Sequence, residues 1–187
     1  MKTTQNNSTL PSSVIPNPLP WILSALLVGS LWFVQSSQHI DEKASPKEVI
    51  MKVRQAAMLL SKHGIEALST LRDHSSPFSW KDTYVFVVNC SADLVMSNPG
   101  FPGRVGGDIL QHKDYRGKPY GIELCEAASN SKGAWIEYSW PKAGETIPIR
   151  KISYVISVPG QPYQVGAGIY DSNYTLQELN EMIRNSP

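Results

Sequence analysis

Cysteine is scarce in this chain: 187 residues carry only Cys90 and Cys125, with no CxxC or CxxCH spacing and no Cys/His cluster. Structural zinc, haem attachment and dithiol redox chemistry are therefore disfavoured. The even count permits one disulfide closing a long loop; two unpaired buried thiols fit the sequence as well. Charge is also thin. Charged residues are 18% of the chain and the net charge is +1, so nothing argues for nucleic acid or an acidic polymer as partner. The longest basic cluster, Lys113 to Lys118, is broken by Asp114 and Gly117 and reads as a solvated loop. Catalytic signatures are missing too: there is no GxSxG, HExxH or P-loop. His39, His63, His74 and His112 fall in helix or loop segments without a paired Ser or Cys motif. An enzyme is not expected, and no cofactor.

Long hydrophobic runs are limited to one. Residues 1–20 are polar and Pro-rich with Lys2 as their only charge, and Trp21 to Val34 is then uninterrupted apolar sequence. Its length suits a signal-peptide core better than a span, which needs about 20 apolar residues. Val34-Gln35-Ser36 offers residues a signal peptidase could read, and Leu19 and Pro20 could extend the run into an uncleaved anchor. Residues 1–36 are thus expected to be a signal peptide or signal anchor, 37–44 a linker, and 45–187 a single folded domain.

Beyond residue 44 the chain is rich in structure signals. Ser45-Pro46 opens a helix, and Val49, Val53, Ala56, Ala57, Leu60, Ala67, Leu68 and Leu71 give it one apolar stripe over about 46–72. His63-Gly64 predicts a kink or break within it. Trp80 to Asn89 reads as a strand, and Ser91-Ala92-Asp93 turns it into Leu94-Val95-Met96 as a hairpin. Asn98 to Gly107 is a Gly/Pro loop of the kind that closes over pockets. A short helix near 119–129, strands near 133–139, 150–158 and 163–170, and a final helix started by the capping box Thr175-Leu176-Gln177-Glu178 complete the order. This order predicts an α+β domain: an antiparallel sheet of about five strands with helices on one side.

Aromatic residues, glycines and one lysine concentrate between Gly133 and Tyr170. Strand periodicity puts Tyr138 and Trp140 on one face and Trp135 on the other, as a core residue. Tyr84 and Phe86 share a face, as pocket or core residues. Lys151, set among Ile, Tyr and Val, is either an edge-strand guard or a buried cation awaiting an anion. Tyr154 falls on the opposite face from Lys151 in an ideal strand. Gly166 and Gly168 predict close backbone approach, to a ligand or to a packed helix.

These motifs, in their order, resemble the single Cache (type 2) family of extracytoplasmic sensor domains over roughly residues 45–172. Phe78-Ser79-Trp80 with Asp82-Thr83-Tyr84-Val85-Phe86 is similar to the family's first strand. Gly106-Gly107-Asp108 through Lys113-Asp114 and Gly117-Lys118 is similar to its "G-x-D … K-D-x-x-G-K" loop. Gly133-x-Trp135-x-x-Tyr138-x-Trp140-Pro141, Lys151-x-x-Tyr154-Val155 and Gly166-x-Gly168-Ile169-Tyr170 follow in family order. The chain departs from the family pattern at Asn98-Pro99, where a His before Pro is frequent, at Ala143, where a Pro is common, and at Tyr163, where a Trp is common. Asn98 cannot supply a titrating cation.

The resemblance implies a PAS-like five-stranded antiparallel sheet with a long N-terminal helix and shorter flanking helices. It implies an exported or membrane-anchored sensor module, periplasmic or on the periplasmic face of the inner membrane, for signal transduction or chemotaxis. A small organic molecule, a short carboxylate in particular, would bind between the sheet and the Asn98–Gly107 loop. The residues expected to bind it are Trp80, Tyr84, Phe86, Asn98, Tyr138, Trp140, Lys151, Tyr154, Gly166 and Gly168, with Lys151 tipped toward the buried cation. Receptors of the family pass their signal through a second span into a cytoplasmic module. No second apolar run follows Tyr170 here, so a membrane-bound signalling partner is expected. The alternative function is a dimerisation domain of the same fold without a ligand, a homodimer forming through helix 46–72.

Overall fold

A computed structural model describes Met1, residues 42–170 and residues 172–185. The chain divides into two units, Met1–His39 and Ile40–Pro187; the expected leader over 1–36 and most of the linker lie outside the described residues.

Helix α1 (Pro46–His63) begins where its backbone donors are satisfied locally. Ser45 accepts from the Glu48 N–H and the Glu48 carboxylate accepts from the Ser45 N–H at 2.8 Å, a reciprocal capping box with Pro46 in the first turn. Gly64, at φ 57°, ends it. A 3-10 turn (Gly64–Ala67) and the short helix α2 (Leu68–Arg72) then carry the same apolar stripe onward, with the break at the expected glycine.

The segment expected to form one strand from Trp80 is instead a tight hairpin followed by a strand. β1 (Ser79–Trp80) pairs with β2 (Thr83–Tyr84) around Lys81, whose φ is 48°. A left-handed residue reverses the chain within two positions, and periodicity counted across it fails. β3 (Phe86–Asn89) and β4 (Leu94–Ser97) form the expected hairpin. Helix α3 (Tyr120–Ala128) leads to β5 (Ala134–Trp140), β6 (Ile149–Ser157) and β7 (Gln164–Tyr170), and α4 (Leu176–Arg184) closes the domain from a second capping box, Thr175 with Glu178.

The five-stranded sheet has the order β4-β3-β7-β6-β5 with every pairing antiparallel. Alternate residues sort its two faces. Val85, Val87, Trp135, Ile152, Tyr154, Val165, Ala167 and Ile169 meet α1, α2 and α4 through Val49, Val53, Leu60, Leu71, Leu179 and Ile183. Each such buried aliphatic side chain contributes about 1.5–3 kcal/mol of transfer free energy. Phe86, Val88, Ile136, Tyr138, Trp140 and Val155 face the other way, toward α3 and the long 98–119 connection. The helices therefore flank both faces. The expectation of helices on one side fails at α3, whose Tyr120 and Leu124 have their own apolar partners across the sheet.

The mixed α/antiparallel architecture with a long first helix is the α+β, PAS-like fold expected. No helix among the described residues is long and apolar enough to cross a membrane.

Candidate functional site

The second face of the sheet carries a partly open cavity of about 20 Å³. Its floor is sheet: Tyr84, Phe86, Val88, Tyr138, Trp140 and Lys151. Its outer wall comes from β4, the following loop and α3: Val95, Asn98, Arg104, Ile109, His112, Tyr120 and Leu124.

Backbone capping holds that wall in place. Asp93, at the β3–β4 turn, accepts from the N–H groups of Ile109 at 2.8 Å and Leu110 at 2.6 Å, fixing the loop over the hairpin. Asp114 is buried and accepts from Arg116 N and Lys118 N on one oxygen and from Ser139 N, on edge strand β5, on the other. Burial opposes its ionisation, but those three N–H donors outweigh it and hold the Asp114 carboxyl below the usual range. The Cys90–Cys125 disulfide joins the end of β3 to α3, resolving the choice between a bond and two thiols.

Lys151 sits at the centre of the floor, 1% exposed. It belongs to β6, an interior strand, which rules out the edge-guard reading. Its neighbours in register are Tyr138 on β5 and Tyr170 on β7. Its Nζ lies 4.5 Å from the Tyr84 ring centroid, 4.7 Å from that of Tyr170 and 5.8 Å from that of Phe86. No carboxylate among the described residues comes within ion-pair distance of it. Burial therefore lowers the Lys151 pKa to about 7, and the field of Asp82 offsets only part of this. Cation–π contacts bring about 0.5–2 kcal/mol, less than the several kcal/mol that burying an ammonium costs. The site is short of an anion.

The glycines of β7 make room for that lysine. A Cβ on Gly168 would lie 2.7 Å from Lys151 Cε and 2.5 Å from Ser153 Oγ, and one on Gly166 would lie 2.6 Å from the Phe86 ring. Both glycines lie under the floor, supporting it through neighbours.

Two further cationic or titratable groups face the cavity from the wall. The Arg104 guanidinium stacks 4.6 Å over Trp140. His112 lies parallel to the Tyr120 ring at 6.4 Å, and its Nδ1 is buried without a hydrogen-bond partner. Burial, then the Arg104 charge, pushes the His112 pKa down. Tyr120 in turn stacks on Tyr138 at 4.6 Å, and the Tyr138 hydroxyl shares a 3.0 Å hydrogen bond with Ser153. Burial pushes the Tyr120 hydroxyl up to about 12 and that of Tyr138 well above its ordinary value, so both stay neutral hydrogen-bonding groups. Among the described residues no Asp or Glu lines the cavity.

Of the residues singled out from the sequence, Tyr84, Phe86, Asn98, Tyr138, Trp140 and Lys151 are brought together here. Trp80 is not: the Lys81 turn puts it in a separate surface cleft with Ser79, Asp82 and Lys142. Tyr154 is not either. It lies on the α1 face against Trp135, ring centroids 5.5 Å apart, and its hydroxyl donates to Lys132 O. Sequence reasoning misses Arg104, His112 and Tyr120. Tyr120 and Leu124 carry the one usable signal, an i, i+4 pair opening a short helix; Arg104 and His112 sit in aperiodic loop.

Among the described residues no group of His, Cys, Asp and Glu is arranged to hold a metal ion. The arrangement can hold a small anion against a buried amine, with an aliphatic surface of Val88, Val95, Ile109 and Leu124 beside it.

Among the solved structures that share this architecture are the following three. One is a Cache chemosensory domain studied for its carboxylic acid recognition (TM-score 0.57, 22% identity, 67% of this chain and 92% of that one). A second is a methyl-accepting chemotaxis protein from Vibrio parahaemolyticus (0.56, 18%, 66% and 86%). The third is the periplasmic sensor domain of a chemotaxis protein (0.53, 24%, 68% and 90%). At these identities the likeness is one of fold. The sequence itself goes further, since the profile described as Single Cache domain 2 matches residues 36–184. That match, in keeping with the sheet order and the long capped helix, identifies the chain as a member of the single Cache domain 2 family, a family of sensor domains.

Proposed function

We propose that this chain is an extracytoplasmic sensor module that binds a short-chain monocarboxylic acid in the Lys151 cavity and reports occupancy to a membrane-bound partner. The observation that carries this reading is the buried Lys151 amine, ringed by aromatic faces and lacking a carboxylate partner among the described residues. Arg104 adds to the positive field, His112 offers a neutral imidazole, and Val88, Val95, Ile109 and Leu124 offer an aliphatic slot for a short tail. A space of about 20 Å³ holds little more than one water. Admitting an acid of two to four carbons requires the 98–112 wall to move outward, which limits tail length. The resemblance of the N-terminal run to an export signal supports delivery to the periplasm or to the outer face of the inner membrane, with binding rather than catalysis as the role.

A thermal-shift screen of the full-length chain with formate, acetate, propionate and butyrate, and with their amides as neutral controls, tests the reading. Ligands that bind only the folded state raise the melting temperature. Lys151→Met then removes the charge-assisted contact, which is worth roughly 1.5–3 kcal/mol. Affinity for the best acid falls about tenfold or more, while the unliganded protein loses no stability. Unchanged affinity in that variant would remove Lys151 from the site.

The exposed Met51, Met58 and Ile65 favour a companion role for the 46–72 helix as a homodimer face. Light scattering of the purified chain and of Met58→Glu reads this directly: a dimer that Met58→Glu dissociates supports it, and a monomeric wild type removes it.

A further inference from the structure

The groups around Lys151 leave its charge without a match. From the β1–β2 turn comes Asp82, the one nearby anion among the described residues, already held by Lys142 at 3.5 Å and by Ala44 N at 2.9 Å. From β2, β3, β5 and β7 come Tyr84, Phe86, Tyr138 and Tyr170, all neutral at ordinary pH. From the outer wall come Arg104, which opposes a second positive charge, and His112 and Tyr120, which are neutral there. An ammonium in this setting is costly without an anion beside it, and an anion entering beside a neutral amine would meet only the Arg104 guanidinium, already stacked on Trp140.

We infer, building on the binding role proposed above, that the cavity takes up its carboxylate together with one proton, so that the sensor responds to the acid as a neutral unit rather than to the anion alone. The carboxylate, the uncharged Lys151 amine and a proton from solvent become a carboxylate–ammonium pair; no covalent bond changes except the new N–H. The charge the carboxylate brings and the new ammonium charge are then buried together, and the net charge carried into the cavity is zero.

Burial sets the pH range. With Lys151 titrating near 7 when unliganded, the amine is already protonated well below that value and binding takes up no proton. Above it each binding event consumes about one proton, and affinity falls about tenfold per pH unit. His112, with its pKa pushed below its ordinary value, starts neutral throughout this upper range and is the rival proton acceptor.

Isothermal titration of the full-length chain with sodium acetate, propionate and butyrate, in buffers of differing ionisation enthalpy, counts the protons directly. At about pH 8.5 uptake close to one proton is expected, against nearly none at about pH 6, with an affinity at least tenfold weaker at the higher pH. Lys151→Arg, whose side chain keeps its charge at both values, should bind without proton uptake and with little pH dependence. If that variant does not fold, the wild-type proton count still decides. Binding of equal affinity at both pH values with no uptake overturns this inference and leaves the binding role intact. Uptake that persists in Lys151→Arg and vanishes in His112→Gln also overturns it, by moving the proton to the wall. No binding of any of the three acids at either pH overturns the binding role, and the proton-coupled reading with it.

Discussion

The two faces of the five-stranded sheet are built from the same strands, residue by alternate residue, yet they have opposite character. Toward α1, β6 and β7 present Ile152, Tyr154, Val165, Ala167 and Ile169, which interlock with Val53, Ala56 and Leu60. Toward the cavity the same two strands present Lys151, Ser153, Gly166, Gly168 and Tyr170. Branched aliphatic side chains fill space from every direction and leave none for a guest. Rings and glycines leave flat-sided gaps, and ring faces tolerate a cation that aliphatic carbons would not. Stability and recognition are thereby assigned to different sides of one backbone, and substitutions should be able to separate them.

The largest effect is expected on the α1 side. Leu60 is fully buried, and Leu60→Ala should cost about 2–5 kcal/mol in denaturant unfolding, with the affinity of the folded protein for a short acid unchanged. An affinity that falls along with stability would show that the faces are coupled through the sheet. Next comes Gly168→Ala, one atom added on the cavity side. The new Cβ would crowd Ile152 O at 2.9 Å as well as Lys151 and Ser153, costing about 1–3 kcal/mol. Because Lys151 must shift, affinity should fall too, and titration calorimetry that finds it intact would detach Gly168 from the site.

The third effect is gradual, a slope in pH. Lys151 titrates at about 7 in the fold against 10.5 for the free side chain. Between those values an unfolded chain holds more protons at this position than the folded one. The unliganded protein should therefore gain stability as pH rises from about 7 toward 10, by at most about 1.4 kcal/mol per unit from this group. Lys151→Met should lack that gain, and comparing the two melting profiles isolates it from every other titrating group. Identical profiles would mean that the amine stays solvated.

Most of this contrast is readable in the sequence wherever a strict period of two holds. Tyr138, Trp140 and Lys151 can be placed because they lie on long unbroken strands, and Tyr84 and Phe86 keep their shared face across the single residue Val85 that separates β2 from β3. The stripe from Val49 to Leu71 and its break at Gly64 are legible for the same reason, at the helical period. Trp80 escapes correct placement because Lys81, an ordinary residue at positive φ, reverses the chain without glycine or asparagine to announce it. Tyr154 joins Lys151 among the expected site residues through their shared motif, although parity alone puts it on the α1 face. Arg104 and His112 reach the cavity because Asp93 and Asp114 bind backbone N–H groups far along the chain. Such long-range capping leaves no periodic trace in a single sequence.

Every residue of the cavity's outer wall falls between Cys90 and Cys125, and every floor residue falls outside that interval. The disulfide therefore turns the wall into a covalent ring, closed between cysteines 35 positions apart and fastened to the rim of the floor. In a chain-entropy account a ring of this size lowers the freedom of the unfolded chain by roughly 4 kcal/mol. The topology has a second consequence under attack by proteases. A single cut at an exposed position of the ring, such as Val105 or Tyr115, leaves two fragments still tied through sulfur. A nicked chain would run as one species until reduced, and the wall would remain tethered to the sheet it covers.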